Sequence, residues 1–299
     1  MERIRLTKDL SFSRLIHGHW RLLDWGMTPQ ELLSLTEQVL DFGIDTIDHA
    51  DIYGNYECEA YFGEALKHDS SIRKKLILVS KCGIKLVSDK YPKRQLKVYD
   101  YSYEHIVASA EKSLQNLGTD YLDVLLLHRP SPFFNPEEAA RAFSDLKKEG
   151  KVRYFGVSNF SAQQFDTLNT FVEDPLVTNQ IEISPIQLEH FENHTIDYLQ
   201  MKQVPPMAWS PLGGGRLFNP TTEQEKRVSK TLSVMAEKLN TTIDVVSFAW
   251  LLNHPAAIMP IIGSGKLNRI QSAIAAIKLN LNLEEWFEIY NASTGVELP

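Results

Sequence analysis

The chain alternates short apolar runs with longer stretches in which apolar residues recur every three or four positions. Such alternation is typical of strands buried in a parallel sheet and of amphipathic helices that pack against it. We predict eight strands, at residues 15–18, 44–47, 76–80, 121–127, 153–157, 177–181, 206–209 and 258–262.

Capping residues mark several helix boundaries. The segment Thr28-Pro29-Gln30-Glu31 has the pattern of a capping box with proline at the first helical position, and Gly43 follows as a stop signal. Further helices are predicted at residues 102–117, 135–150, from 161 onwards, 223–239, 242–253 and 283–291. Residues 1–12 are predicted to form a short hairpin.

The order of these elements predicts an α/β fold, a (β/α)8 TIM barrel that spans residues 1–299 as a single domain. A barrel of this kind takes roughly 250 residues, which the 299 residues accommodate. The competing fold is an open, doubly wound sheet, which usually binds a dinucleotide at a G-x-G-x-x-G turn after its first strand. The chain has no such turn, and the glycines at 213–215 lack its spacing, so the barrel is favoured.

The bulk composition narrows the range of partners. The formal net charge of −7 disfavours general nucleic-acid binding. No apolar run approaches the roughly 20 residues of a membrane helix, and the first ten residues lack the apolar core of a signal peptide. The two cysteines, Cys58 and Cys82, form no CxxC motif, which fits a reducing compartment. We therefore predict a cytoplasmic protein with a small-molecule partner, no membrane and no nucleic acid, and take a monomer as the default.

Candidate chemistry lies at the carboxyl ends of the strands, where barrel enzymes carry their catalytic groups. Asp48, Tyr53, Lys81 and His128 follow the second, third and fourth predicted strands. Singly, each has an ordinary interpretation as a helix cap, a packed turn tyrosine, a solvated lysine or a core histidine. Their occurrence together at neighbouring strand ends favours a catalytic group.

These four residue types suit the reduction of a carbonyl group, which needs a hydride at carbon and a proton at oxygen. A tyrosine hydroxyl can supply the proton, although its usual pKa is about 10. A neighbouring ammonium favours the phenolate and is expected to lower that pKa, and a carboxylate keeps the ammonium charged and in place. A histidine can donate a hydrogen bond that orients the carbonyl oxygen.

Four segments resemble signatures of the aldo-keto reductase superfamily, in its bacterial NADPH-dependent form. They are residues 45–54 (DTIDHADIYG), 80–83 (SKCG), 125–130 (LLLHRP) and 150–160 (GKVRYFGVSNF). The resemblance runs from about residue 15 to 273 and implies reversible reduction of an aldehyde or ketone by hydride transfer. It gives Tyr53 the role of general acid, Asp48 and Lys81 the tuning of its pKa, and His128 the orientation of the substrate.

The same resemblance implies NADPH as cofactor, in an extended conformation across the barrel mouth. Around the nicotinamide and its ribose it implies Gly18, His19, Trp20, Asp48, Ser158, Asn159, Gln180 and Trp209. Ser158 and Asn159 would bond the carboxamide, a role compatible with the alternative of a capping turn before Ser161. Trp20 would also wall the substrate pocket, with a buried tryptophan at the barrel rim as the alternative.

Two later segments would hold the cofactor phosphates. The loop after the seventh strand supplies Ser210, Leu212, Gly213 and Arg216, and residues 260–269 supply Gly263, Ser264, Lys266 and Arg269 for the adenosine 2′-phosphate. The hydroxyl and cationic groups of the second segment favour NADPH over NADH. Ser272-Ala273 stands where many relatives carry a Glu-Asn pair against adenine, which leaves the strength of this preference open.

Two rival functions compete with a reductase. His17-Gly18-His19 looks like the HxH pair of amidohydrolase barrels, but the strand ends that would complete such a site carry Ser158-Asn159, Gln180 and Gly263-Ser264, so we predict no metal. Some aldo-keto reductase-like proteins are cofactor-binding regulatory subunits without turnover, and this alternative stays open. The sequence does not identify the substrate, because the five basic residues of loop 84–101 are compatible either with an acidic substrate or with a solvated basic loop.

Overall fold

The computed structural model describes residues 1–298. Eight parallel strands close into a barrel in which they neighbour one another in chain order. We label them β1 Ile16–Gly18, β2 Thr46–Asp48, β3 Ile77–Cys82, β4 Leu122–Leu127, β5 Val152–Ser158, β6 Asn179–Glu182, β7 Met207–Trp209 and β8 Met259–Ile262. Each predicted strand overlaps an observed one, and the predicted (β/α)8 barrel is confirmed.

Helices connect the strands. Those of eight residues or more are Pro29–Asp41, Cys58–Lys67, Tyr103–Leu117, Pro136–Lys148, Ala162–Phe171, Thr195–Lys202, Glu223–Lys238, Ile243–Leu252, Leu267–Ala276 and Leu283–Thr294. Shorter helical segments lie at Leu22–Trp25, Tyr53–Tyr56, Ser70–Lys75, Glu189–Glu192 and Gly213–Gly215. Among the described residues, no helix combines the length and the apolar character that crossing a membrane requires.

Two antiparallel hairpins lie outside the barrel. Arg3–Arg5 pairs with Ser11–Ser13, which confirms the predicted N-terminal hairpin. Ile84–Lys85 pairs with Val98–Tyr99 inside the basic loop after β3, and these two strands were not predicted.

The helix-start signals act as the sequence predicts. The Thr28 side chain accepts a hydrogen bond from the Glu31 amide, and the Glu31 carboxylate accepts one from the Thr28 amide at 2.8 Å. Ser161 and Gln164 form the same reciprocal pair at the start of Ala162–Phe171. These bonds satisfy amides that have no partner within the helix and fix where each helix leaves its strand.

The chain divides into two compact units. The first contains Met1–Asn179 and Gly263–Gly265, and in it all six side chains of β4 are buried. The second contains Gln180–Ile262 and the residues from Lys266 onward. Its largest fully buried side chain is Trp250, whose indole stacks on Trp286 with ring centroids 4.9 Å apart. That the chain forms a single domain stays a prediction.

Candidate active site

In the first unit, the catalytic residues expected from the sequence gather around one ammonium group. Lys81, on β3, is fully buried and donates to the two Asp48 carboxylate oxygens at 2.7 and 2.8 Å. It also donates to the His49 carbonyl at 2.7 Å and to the Tyr53 hydroxyl oxygen at 3.0 Å. Because Tyr53 accepts this bond, its own proton stays available for another acceptor.

A left-handed turn brings Tyr53 to the lysine. The backbone angle φ is +56° at Gly54, +56° at Asn55 and +68° at Tyr56. Glycine adopts such angles readily and asparagine tolerates them, whereas tyrosine does so only at a cost. Gly54 is also confined sterically, because an added Cβ would lie 2.6 Å from the Cys58 sulfur. The turn therefore fixes Tyr53 at the start of the segment rather than leaving it on a free loop.

Burial dominates the electrostatics of this group. It raises the pKa of Tyr53 well above its usual value, and the Asp48 carboxylate adds to the rise. It lowers the pKa of Lys81, while the charge of Asp48 opposes that shift. The expectation that the pKa of Tyr53 falls is therefore wrong in this structure, because desolvation of the phenolate makes the largest contribution to the shift. Tyr53 keeps its proton at neutral pH, as a proton donor must.

His128 lies directly after β4 and faces Tyr53. The two rings meet edge to face with centroids 5.8 Å apart. Burial lowers the pKa of His128 well below its usual value, and the charges of Lys81 and Arg129 add to the shift. The imidazole is therefore neutral, and its buried Nδ1 has no hydrogen-bond partner among the described residues. A neutral ring carries one N–H, which is an uncharged hydrogen-bond donor.

Tyr101, a residue of the basic loop that was not predicted as a site residue, bonds the backbone of Arg129, which directly follows His128. Its hydroxyl accepts from the amide of Arg129 at 3.0 Å and donates to the carbonyl of the same residue at 2.5 Å. Gly83 makes room for it, since φ is +106° there and an added Cβ would lie 1.9 Å from a Tyr101 ring carbon. The available signal was Gly83 itself, directly after the strand that carries Lys81.

Ser158 and Asn159 lie where β5 ends. Asn159 has a left-handed backbone, with φ at +61°. Its amide nitrogen donates to the Ser158 hydroxyl at 2.7 Å and to the His128 carbonyl at 3.4 Å. The two predicted carboxamide-binding side chains are thus adjacent, bonded to each other and connected to the backbone of His128, the candidate catalytic histidine.

The residues after β1 lie beside the catalytic group. The His19 amide donates to the Asp48 carbonyl at 2.9 Å, and Gly18 is buried. Trp20 is 56% exposed, so the alternative of a buried tryptophan at the rim is wrong. Its exposure is compatible with a wall of a substrate pocket, which stays a prediction.

The histidine pair that looks like a metal motif uses its ring nitrogens on protein partners. His17 Nε2 lies 2.9 Å from the Ser264 carbonyl, and His17 Nδ1 lies 3.2 Å from His19 Nε2. His19 Nδ1 lies 3.0 Å from His49 Nε2. These contacts occupy all four ring nitrogens of the pair. Within residues 1–298, no group of three or more histidine, cysteine, aspartate or glutamate residues is placed to hold a metal.

In the second unit, the loop after β7 is tightly folded. Ser210 has φ at +50°, and its carbonyl accepts from the Gly213 amide at 2.8 Å. At Gly213 an added Cβ would lie 2.4 Å from a carbon of Ile186. Packing at Gly213 therefore favours a defined loop conformation at this position over the freely flexible glycine run that the sequence left open, and phosphate binding by the loop stays a prediction.

The other cofactor candidates of the second unit differ in exposure. Gln180 is buried, and its amide contacts the Met207 sulfur at 3.8 Å. Trp209 and Leu212 are half-buried, while Lys266 and Arg269 are exposed at the start of helix Leu267–Ala276. Arg216 donates to the Gly213 carbonyl at 2.9 Å and forms an ion pair with Glu225 at 3.2 Å. Its guanidinium thus fastens the glycine loop to a helix, a structural role that sequence reasoning did not expect.

Three cations of the basic loop have protein partners, within the loop or outside it. Lys85 pairs with Asp100 at 2.5 Å, and Lys90 pairs with Glu57 at 2.6 Å. Arg94 lies 3.7 Å above the Tyr91 ring. These three side chains are therefore held by protein partners rather than being freely solvated, and recognition of an acidic substrate by this loop stays an open alternative.

Comparison with known proteins agrees with this geometry. Residues 14–293 match the model of the aldo/keto reductase family. The chain is 50% identical to the uncharacterized oxidoreductase YcsN of Bacillus subtilis, over all of both chains. It is 47% identical to the oxidoreductase YdhF of Escherichia coli, over 96% of each, and 41% identical to a 6-dehydroglucose reductase of Agrobacterium fabrum, over all of both.

A solved structure supports the fold independently. The thermostable aldo-keto reductase Tm1743, crystallised with the inhibitor epalrestat, superposes with a TM-score of 0.80. The alignment covers 98% of this chain and 100% of that one, at 24% sequence identity. At this identity the likeness supports the barrel fold and nothing finer.

Proposed function

The chain belongs to the aldo/keto reductase family, and from that premise we propose that it reduces a small aldehyde or ketone to an alcohol with NADPH, reversibly. The observation that carries the proposal is the hydrogen-bonded group of Asp48, Lys81 and Tyr53, with neutral His128 facing the tyrosine. This group provides one proton donor, one fixed cation and one uncharged hydrogen-bond donor, which together suit an oxygen that gains negative charge.

The proton step follows from the direction of the hydrogen bonds. Lys81 donates to the Tyr53 oxygen at 3.0 Å, which leaves the phenolic O–H free to donate to the substrate carbonyl. As negative charge develops on the substrate oxygen, Tyr53 transfers its proton there, and the phenolate that remains is stabilised by the lysine. Asp48 keeps Lys81 charged, and His128 orients the substrate oxygen through its neutral N–H.

The chain offers groups of the right chemistry for NADPH, which supplies the hydride when bound. The amide of Asn159 and the hydroxyl of Ser158 are held together at 2.7 Å and suit a carboxamide. The exposed cations Lys266 and Arg269, at the start of a ten-residue helix, suit a phosphate that distinguishes NADPH from NADH. We propose Gly18, His19, Trp20, Gln180, Trp209, Ser210, Leu212, Gly213, Arg216, Gly263 and Ser264 as the remaining cofactor contacts.

The relatives suggest which carbonyl compounds to test first. Two proteins named 6-dehydroglucose reductase are 41% and 38% identical to this chain, over 100% and 97% of its length. Oxidised sugars therefore belong in the first panel, beside simple aldehydes and diketones. Two buried, free cysteines fit the reducing cytoplasm in which we expect the protein to work.

Replacing Tyr53 by phenylalanine tests the proposal. Loss of the proton donor is expected to lower kcat by about 10²- to 10⁴-fold, while NADPH still binds. Turnover is followed by loss of the nicotinamide absorbance, and binding by quenching of protein fluorescence. Tyr103→Phe is the matched control, because it removes a hydroxyl that bonds Asp145 on another helix, and it should turn over normally.

Two outcomes contradict the proposal in different ways. Near-normal turnover by Tyr53→Phe would remove the proposed mechanism while leaving a reductase. Tight NADPH binding by the wild-type protein without turnover of any carbonyl in the panel would instead favour a regulatory, cofactor-binding role.

A further inference from the structure

Three buried histidines are connected in series behind the candidate active site. His17, His19 and His49 are each 0% exposed. His17 contacts the carbonyl of Ser264 at 2.9 Å, His19 contacts His17 at 3.2 Å, and His49 contacts His19 at 3.0 Å. None of the three is a proton donor or acceptor in the proposed reaction, so the burial of three connected histidines needs another explanation.

One carbonyl group determines every proton position in this series. The Ser264 oxygen can only accept, so His17 Nε2 must carry the hydrogen. A neutral His17 then accepts at Nδ1, which requires a hydrogen on His19 Nε2. By the same reasoning His19 accepts at Nδ1 from Nε2 of His49. The last nitrogen, His49 Nδ1, is buried and has no partner among the described residues.

Charge on His17 or His19 would disrupt this arrangement of hydrogens, because each of them accepts at Nδ1 and a charged imidazole has no acceptor nitrogen. Burial opposes such charge: it lowers the pKa of His17 to about 4 and that of His49 to about 3, with the nearby Lys81 ammonium contributing at His49. It also lowers the pKa of His19 well below its usual value. At neutral pH all three rings are therefore uncharged.

The two ends of the series lie at different parts of the proposed site. At one end, His49 is the residue whose carbonyl accepts from Lys81 at 2.7 Å. At the other end, Ser264 lies between two glycines that leave its backbone few constraints of its own. A Cβ on Gly265 would lie 2.7 Å from the Trp25 ring, and that ring stacks on His17 with centroids 5.3 Å apart.

We propose that His17, His19 and His49 form one uncharged hydrogen-bonded chain that fixes the segment Gly263–Gly265, and that His17 is thereby a positioning residue for the adenosine phosphate of the cofactor. The inference rests on the proposed function, which places this phosphate near Ser264. A segment held in place before binding loses less conformational entropy on binding, so the three hydrogen-bonded histidines raise the affinity for the cofactor without contacting it.

Replacing His17 by phenylalanine tests the positioning role. Phenylalanine keeps a ring against Trp25 and removes both hydrogen bonds, so the Kd for NADPH is expected to rise about tenfold, as loss of one buried hydrogen bond predicts. The kcat at saturating NADPH should stay within about twofold, because no group of the Lys81 cluster is altered. His17→Gln retains a donor of similar reach and should restore most of the affinity.

Fragments of the cofactor locate the effect. Adenosine 2′,5′-bisphosphate should lose affinity for His17→Phe as strongly as NADPH does, while nicotinamide mononucleotide should bind as it does to the wild type. Equal losses for both fragments would indicate general loosening of the protein. Equal loss, or unchanged NADPH affinity in His17→Phe, would overturn the positioning role.

Nitrogen-15 spectroscopy of the wild-type protein tests the hydrogen-bonded chain of histidines directly, and single His→Gln variants are needed only to assign the signals. Long-range proton–nitrogen correlations should show three neutral imidazoles with hydrogen on Nε2 between pH 6 and 8. A charged ring or an Nδ1–H tautomer at any of the three would overturn the chain.

The two proposals fail in distinguishable ways. If the wild-type protein turns over carbonyl compounds with NADPH and His17→Phe binds NADPH normally, only the present inference fails. If the wild-type protein binds no NADPH, the proposed function fails and the cofactor role of His17 fails with it.

Discussion

The pairing of Lys81 with Asp48 makes a quantitative prediction about stability. Lys81 is 0% exposed and Asp48 is 3% exposed, and both carboxylate oxygens lie within 2.8 Å of the ammonium. Replacing Lys81 by methionine leaves the carboxylate buried without its cation. Breaking a buried ion pair in this way destabilises a protein by about 3–5 kcal/mol. The loss should exceed that of an ordinary core substitution of similar volume, usually below about 1.5 kcal/mol.

The double variant Asp48→Asn/Lys81→Met separates charge from packing. It removes both charges and keeps side chains of similar size, so its loss of stability should be about 2 kcal/mol or less. It should therefore be more stable than Lys81→Met alone, although it carries an additional substitution. The corresponding coupling energy should be about 3 kcal/mol or more, at the upper end of values between contacting residues.

Urea unfolding followed by tryptophan fluorescence at pH 7.5 measures these differences, with the slope m showing whether the unfolded state changes. Both variants that carry Lys81→Met should have lost reductase turnover, since Tyr53 no longer has its lysine. If the double variant is as unstable as the sum of the two single variants, the two charges do not depend on each other. The electrostatic account of this site would then be wrong.

Three further predictions concern other parts of the molecule. Arg269→Ala should raise the KM for NADPH about tenfold and leave the KM for NADH within about twofold, since a charged hydrogen bond contributes about 1.5–3 kcal/mol; equal changes for both would exclude a 2′-phosphate contact. Gly83→Ala should lower the free energy of unfolding by more than about 2 kcal/mol and reduce turnover, because the new Cβ would overlap the Tyr101 ring. Thermal unfolding measures the first effect, and kcat measures the second. Burial holds the pKa of His17 at about 4 and that of His49 at about 3 in the folded protein, against about 6.5 in the unfolded chain. The free energy of unfolding should therefore be highest above pH 6.5 and fall as the pH drops towards the folded values, by about 2 kcal/mol per histidine at pH 5. In His17→Phe this decline should be correspondingly shallower, and an unchanged urea midpoint between pH 7 and 5 in the wild type would contradict the burial argument.

Most of the fold could be predicted from local pattern. The strands of a parallel barrel are apolar on both faces, so runs such as residues 121–127 are recognisable without knowledge of their neighbours. Helix starts follow from short-range hydrogen bonds, which is why Thr28 with Glu31 and Ser161 with Gln164 act as their spacing indicates. That Asp48, Lys81, Tyr53 and His128 lie together could be predicted for a related reason, since they follow successive strands and strand ends meet at one end of a barrel.

The features that could not be predicted from the sequence depend on contacts between residues far apart in the chain. The pKa of Tyr53 was expected to fall because lysine is nearby, but the outcome depends on how completely the hydroxyl is removed from water. Arg216 was predicted to contact a phosphate from its position in a glycine loop, but its ion pair with Glu225 on the following helix could not be predicted. The link from His17 to Ser264 spans 247 positions, and no periodicity or spacing indicates it.

The left-handed turn after Tyr53 connects these long-range contacts to catalysis. Tyr56 has φ at +68°, a conformation that costs a residue with a side chain about 1–2 kcal/mol. Its hydroxyl accepts from the Leu86 amide at 2.8 Å and from Arg94 at 2.9 Å, and its ring meets Tyr91 with centroids 4.9 Å apart. These contacts offset the strain. All three partners belong to the basic loop after β3, so this loop also holds the backbone turn that begins at Tyr53, the proposed proton donor. Any substrate contact with this loop would therefore depend on residues that also place Tyr53.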